Sequence, residues 1–310
     1  MAASSRSEDA LWPRASAWLA PAPEGVEATG DLGLLGVPTS SRSITPSGAH
    51  ATPAAVRLAL SRYSTFAHSG GIDAGQLVAF DLGDVADPDG SGGEQRTRRA
   101  SAKAGDRFGL LIALGGDNSI TFPVMGGLAG ADLSTWGLIT LDAHHDLRDG
   151  DSNGSPVRRL VEAGLPGEHV VQIGIADFTN SAAYAARARE LDITVIGRDA
   201  ITASAAGAIA SAALKIAGRG GGRVFLDVDV DVCDRSVVPA CPSAAPGGIS
   251  AHELKRLVFE LVRDPRVAGM DVTEIDATTD AADGRTVRLA ALVVLEAAAA
   301  MRYRVDGGVR

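Results

Sequence analysis

Short apolar runs recur along the chain from Asp31, each followed by a stretch able to form a helix. The runs are Leu32–Val37, Leu77–Leu82, Gly109–Leu114, Trp136–Leu141, Val170–Gly174, Ile193–Ile196, Val224–Val230 and Val267–Val272. They are continuously apolar rather than alternating, which suits strands covered on both faces. Between them the pattern predicts helices over Pro53–Arg62, Arg96–Asp106, Ser155–Ala163, Asn180–Glu190, Ala205–Ala217, Ala251–Arg263 and Thr286–Met301. Thr52 is placed to cap the first helix, with Pro53 at its first position. This alternation predicts an α/β fold: a mostly parallel eight-stranded sheet between helices, in three α/β/α layers.

Residues 1–30 break the pattern. They are rich in Ala, Pro, Glu and Gly, carry Trp12 and Trp18, and read as an N-terminal extension to a single domain over 31–310. Composition narrows the possible roles. The formal net charge of −9, from 29 basic and 38 acidic residues, argues against nucleic-acid binding, which needs a basic face. No apolar run reaches the length of a membrane span. The opening residues lack the apolar core of a secretion signal, so a cytoplasmic location is expected. Two cysteines, Cys233 and Cys241, cannot form a disulfide scaffold and read as small buried thiols.

In an open α/β sheet, ligands bind beyond the carboxyl ends of the strands. Three polar clusters fall there: Gly115-Gly116-Asp117-Asn118-Ser119, Asp142-Ala143-His144-His145-Asp146-Leu147-Arg148-Asp149, and Asp227-Val228-Asp229-Val230-Asp231. In a strand, Asp227, Asp229 and Asp231 would share one face at steps of about 6.6 Å. Two carboxylates about 7 Å apart repel by roughly 2 kcal/mol at an effective dielectric of 20. Buried carboxylates need protons, basic partners or a cation. Asp142, His144 and Asp146 are likewise spaced two apart. Carboxylates with one imidazole form an oxygen-rich set that suits Mn2+ better than a structural zinc. Two acidic clusters from separate strand ends suggest two cations sharing bridging carboxylates.

These motifs together resemble the ureohydrolase family of arginase, agmatinase and formiminoglutamase. That family's GGDHS motif appears as Gly115–Ser119, its DAHxD motif as Asp142–Asp146, and its DxD motif as Asp229-Val230-Asp231 with Pro239 and Gly247-Gly248 downstream. Gly36-Val37-Pro38, Gly48 to Arg57 and Asp81 to Val85 extend the resemblance over most of the chain. It implies an arginase-like fold, a homo-oligomer (trimer or hexamer), a small-molecule substrate and two Mn2+ ions. By motif, one ion takes Asn118, Asp142, Asp146 and Asp229. The other takes His144, Asp142, Asp229 and Asp231. Asn118 stands where the family carries histidine, so its ion should be held less tightly. Asp227 stands where the family carries Ser or Thr.

Within the family, Asp146-Leu147-Arg148, Asn153-Gly154-Ser155-Pro156, Glu274-Ile275-Asp276-Ala277 and Asp283-Gly284-Arg285-Thr286 look like the formiminoglutamase branch. That resemblance implies hydrolysis of N-formimino-L-glutamate to L-glutamate and formamide, with Asp146 as proton shuttle and Glu274 holding the planar cationic end. Arg148 is the candidate for the substrate carboxylates, unless it pairs with Asp149 or Asp151. Asn153, Ser155, Asn180 and Tyr184 are further candidates to line the pocket. His145 is expected to face away from the ligand side and pack in the core. The alternatives are a guanidino hydrolase that releases urea and a non-catalytic member with a weakened metal site. A phosphatase reading of Phe225–Val230 fails because that motif opens its domain, whereas here most of the sheet precedes it.

Overall fold

The structure is a computed structural model and describes residues 9–22 and 28–308. The strands are β1 (Ala20–Pro21), β2 (Gly30–Val37), β3 (Phe66–Ala67), β4 (Ile72–Asp73), β5 (Ala79–Asp84), β6 (Phe108–Gly115), β7 (Trp136–Leu141), β8 (Val170–Ile175), β9 (Thr194–Gly197), β10 (Arg223–Val228) and β11 (Val267–Val272). The α-helices are α1 (Ala15–Trp18), α2 (Thr52–Leu60), α3 (Gly93–Gly105), α4 (Thr121–Ala129), α5 (Pro156–Glu162), α6 (Ala182–Glu190), α7 (Ala206–Ala217), α8 (Ala251–Val262) and α9 (Arg285–Val305). β3 and β4 form a small antiparallel hairpin.

The other strands form one nine-stranded sheet in the order β1-β5-β2-β6-β11-β10-β7-β8-β9, every neighbouring pair parallel. All eight expected strands are present. The ninth is two residues of the segment expected to be an extension. Ala20 and Pro21 pair with Phe80 and Asp81, and Ala15 and Leu19 are buried. Two residues are too short to show a period, and an edge strand tolerates proline. The rest of that segment, residues 1–8 and 23–27, lies outside the described residues.

Alternation along each strand divides the core into two faces. Leu34, Ile112, Leu226 and Val228 pack with α2, α7, α8 and α9, while Leu35, Leu111, Leu138 and Phe225 pack with α3, α4, α5 and α6. This is the predicted three-layer arrangement. α4 had no counterpart among the sequence expectations, because Pro123, Gly126 and Gly127 read as helix breakers. The glycines are there for close packing: a Cβ on Gly127 would lie 2.0 Å from Ser101 Oγ and 2.3 Å from the Arg98 carbonyl oxygen on α3. Thr52 is not a cap. It lies inside α2 after a 3-10 turn, and its hydroxyl donates to the Ile275 carbonyl, tying the helix to the loop after β11.

The four central strands β6, β11, β10 and β7 are consecutive in the sheet, so their carboxyl ends bring the three polar clusters together. Gly127→Ala is expected to destabilise the protein by about 1–3 kcal/mol through overpacking of α3 against α4. Gly197→Ala should be neutral, since nothing stands within 4 Å of the added methyl. Thermal midpoints of the two variants check this.

Candidate metal centre and substrate cavity

The DxD residues are not presented by a continuous strand. β10 ends at Val228, Asp229 makes a single bridge to Thr273, and Val230–Val232 turns as a 3-10 helix. Asp229 caps that turn, its Oδ1 accepting from Asp231 N at 2.9 Å. The expected common face of Asp227, Asp229 and Asp231 is therefore broken by the capped turn. Asp227 stays in the sheet and is fully buried. There it faces Asp271 on β11, with both of its oxygens and Asp271 Oδ1 lacking a hydrogen-bond partner, and burial raises both carboxyls above the usual range. Asp227 does not line the cavity described below.

The segment after β7 also leaves the extended path, since Asp146 has φ +53°. Asp142 and His144 still meet Asp231. His144 Nδ1 lies 2.8 Å from Asp231 Oδ2, and Ala143 N donates to Asp231 Oδ1 at 3.0 Å. His144 N donates to Asp142 Oδ1 at 2.6 Å. Asp142, His144 and Asp231 offer ligand atoms all within 4.8 Å of one another. Asp142 Oδ2 is buried with no hydrogen-bond partner, an orphan acceptor of the kind a cation satisfies. Carboxylate oxygens with one imidazole fit a hard or borderline divalent ion.

The electrostatics fit that reading. Burial raises Asp142 well above the usual carboxylate range, and Asp146 and Asp231 add repulsion. Burial likewise raises Asp229, with Asp231 and Asp142 adding to it. Burial pushes Asp146 up to about 7. Burial alone would lower His144, but the Asp231 carboxylate overrides it and lifts the imidazole to about 9. Burial would raise Asp231, but His144 and the bonds from Ala143 and Ser243 hold it at about 2. Without a cation, a proton on His144 takes its place.

Asn118 departs from the ligand geometry that the motif implies. Its Oδ1 accepts from Thr121 Oγ1 at 2.9 Å and Thr273 Oγ1 at 2.8 Å, while its Nδ2 donates to Asp146 Oδ2 at 2.7 Å. The amide thus turns its donor toward the carboxylates. Thr121, Thr273 and Ser243, whose Oγ donates to Asp231 Oδ2 at 2.8 Å, went unnoticed in the sequence. Nothing in the spacing of a single hydroxyl marks it.

A cavity of about 250 Å3 opens over this floor. Asp146, Asp229, Asp231, His144 and Glu274 line it, together with Arg148, Asn153, Asn180 and Tyr184. Glu274 has φ +64° and is buried. Its Oε1 accepts from Asn118 N at 2.7 Å and Asn153 Nδ2 at 2.9 Å, and burial pushes its carboxyl up to about 8. Arg148 is exposed, and its guanidinium has no partner among the described residues. The two acids that could have taken it are engaged elsewhere, Asp149 by Arg187 at 2.8 Å and Asp151 by Arg159 at 3.4 Å. Asn153 lines the cavity, but both ends of its amide are used, since Oδ1 accepts from Ile44 N at 3.0 Å. Asn180 Oδ1 accepts from His145 N at 3.0 Å.

Ser155 does not belong with these residues. It is fully buried, and its hydroxyl donates to the Ser152 carbonyl at 2.8 Å and closes the turn before α5. A serine before a helix serves its own loop first. His145 is buried as expected, with Nδ1 2.6 Å from Gln172 Oε1, but it also lines the cavity wall rather than facing wholly away. Cys233 and Cys241 are free and buried, and burial pushes both thiols up.

Proteins of known kind are similar to this chain over most of its length. A sequence profile of the Arginase family matches residues 30–300. The formimidoylglutamase of Halalkalibacterium halodurans is 38% identical over 273 residues, 85% of each chain. The crystal structure of formimidoylglutamase from Bacillus subtilis superposes with a TM-score of 0.88 at 31% identity, over 97% of this chain and 96% of that one. A Trypanosoma cruzi formiminoglutamase solved with Mn2+ shares the fold, with a TM-score of 0.84 at 23% identity over 94% of this chain and 98% of that one. With its profile match running from β2 into α9, this chain belongs to the arginase family.

Proposed function

We propose that the protein hydrolyses N-formimino-L-glutamate to L-glutamate and formamide, using two Mn2+ ions. One observation carries the reading: an acidic floor suited to cations and an unpaired guanidinium line the same cavity. His144, Asp142, Asp229 and Asp231 are the ligands proposed for one ion. Asp142, Asp146 and Asp229 are those for the other, with Asn118 beside it as a neutral amide. When bound, such ions lower the pKa of a water toward about 7 and so supply a nucleophile at neutral pH.

The chain's own groups orient the substrate and move its protons. Glu274 Oε1 is fully engaged by Asn118 and Asn153, and Oε2 accepts nothing from the described residues. In its ionised form, Glu274 receives the N–H of the planar amidinium. Arg148 takes substrate carboxylate through charge-assisted hydrogen bonds. Asp146 sits near neutrality, which suits passing a proton to the leaving α-amine. Water adds its oxygen to the formimino carbon, the bond from that carbon to the α-nitrogen breaks, and formamide and the free amine leave. The relatives named formimidoylglutamase support this substrate over agmatine or guanidino acids. Assembly as a trimer or hexamer and a cytoplasmic location belong to the same reading.

With manganese supplied, the protein is expected to release formamide from formiminoglutamate and no urea from agmatine or guanidino acids. Urea release without formamide would move it to the guanidino hydrolases. No turnover of any of these compounds, with no more than one ion bound, would make it a non-catalytic member. Glu274→Gln should cut kcat/KM by at least about 100-fold, because a buried amidinium partner is lost.

Metal binding should be linked to pH. His144 must lose its proton to act as a ligand, and its pKa before loading is about 9. Affinity for Mn2+ should therefore rise with pH, about tenfold per unit for each proton displaced, up to about 9. Titration calorimetry of stripped protein in buffers of different ionisation enthalpy should show net proton release at pH 7.

A further inference from the structure

Gly154 stands beside Arg148 at the cavity wall. Its φ lies outside the left-handed region, so the backbone there does not demand glycine. Space does. A Cβ on Gly154 would lie 2.8 Å from Arg148 Cδ, 3.2 Å from Arg148 Nε and 3.4 Å from Ile44 Cδ1. The arginine stem thus lies across the bare α-carbon.

The surrounding loop is poorly placed to give way. Gly154 O accepts from Arg148 N at 3.0 Å, and Gly154 N donates to Ser152 Oγ at 3.3 Å. Asn153 is held on three sides: its N donates to Arg42 O at 3.0 Å, and its amide joins Ile44 N to Glu274 Oε1. Ser155 is locked in its buried turn. An added methyl therefore meets a tied main chain on one side and a flexible, unpaired side chain on the other. The side chain moves.

We infer that Gly154 is a specificity-determining residue: its missing side chain is the shelf that holds Arg148 over the cavity, where the guanidinium meets substrate carboxylate. The two residues then work as one reader. Asn153 fixes the amidinium end through Glu274, and Gly154, next in the chain, fixes the carboxylate end through Arg148. The distance between those ends is set by a single dipeptide. This rests on the Arg148 reading proposed above, so the test separates the two.

Steady-state kinetics with formiminoglutamate on the manganese-loaded full chain compare the parent, Gly154→Ala, Arg148→Ala and the double variant. Competitive inhibition by glutarate, which offers two carboxylates and no amidine, is measured alongside. Gly154→Ala should raise KM and the glutarate inhibition constant about tenfold, with kcat within about twofold and an unchanged thermal midpoint. In the double variant the methyl should add nothing to the effect of Arg148→Ala, because it acts through the arginine. An unchanged KM in Gly154→Ala, with KM raised in Arg148→Ala, overturns the role of Gly154 and leaves that of Arg148 standing. An unchanged KM in Arg148→Ala overturns the Arg148 reading itself. A lower thermal midpoint in Gly154→Ala with reduced kcat, or additive effects in the double variant, shows that the loop yields instead of the arginine, and also overturns the inference.

Discussion

Carboxylates stripped of water must find a counter-charge or a proton, and this constraint organises the molecule. Asp142, Asp146, Asp229 and Asp231 are all buried at the ends of central strands. Their mutual repulsion and lost hydration cost several kcal/mol unless a positive group shares the space. In the structure His144 supplies that charge to Asp231, and the remaining carboxyls are pushed toward their neutral forms. A divalent cation resolves the same conflict with one object, and the orphaned Asp142 Oδ2 is the atom left waiting for it. The rigid centre of the sheet keeps the acids from relaxing apart. Parallel neighbours on both sides fix β10 and β7, and the loops beyond them are pinned by backbone bonds to the carboxylates themselves.

Much of this could be read from residues alone, because burial on both faces writes continuous apolar runs and acids at strand ends interrupt them. The eight longer strands and seven of the helices follow from that pattern. What escaped notice had local causes. α4 is hidden by Pro123, Gly126 and Gly127, which serve packing against Arg98 and Ser101. Ala20–Pro21 is too short for any period. The Asp227–Asp231 stretch keeps its strand spacing in sequence, but Asp229 caps a turn and breaks the common face. The outer two acids therefore have different fates, Asp231 in the cavity and Asp227 in the sheet.

The site was legible where function needs a distinctive side chain and illegible where it needs only a hydroxyl or a space. Asp142, His144, Asp229, Asp231 and Glu274 are marked by charge in apolar surroundings. Thr121 and Thr273 are not, yet their two hydroxyls orient the Asn118 amide. Each hydroxyl can also accept, and Thr121 Oγ1 lies 2.9 Å from Asp271 Oδ2 as well. The Asp227–Asp271 pair thereby reaches the acidic floor through one threonine. Burial raises both acids toward their neutral forms, so this pair competes weakly with the floor for a cation.

The floor and the rim carry different parts of the recognition problem. The floor recognises positive charge, and the motifs that build it resemble those throughout the family, so it cannot by itself tell an amidine with two carboxylates from one with none. A dianionic substrate faces repulsion from a chain of net charge −9 and from the acids below. It can enter only if its amidinium leads and its carboxylates stay at the mouth. Arg148 is the one lysine or arginine among the described residues that line the cavity, and it is exposed. On the proposed reading, selectivity among linear amidines is set by where one guanidinium stands relative to Glu274, and by neighbours with no charge of their own.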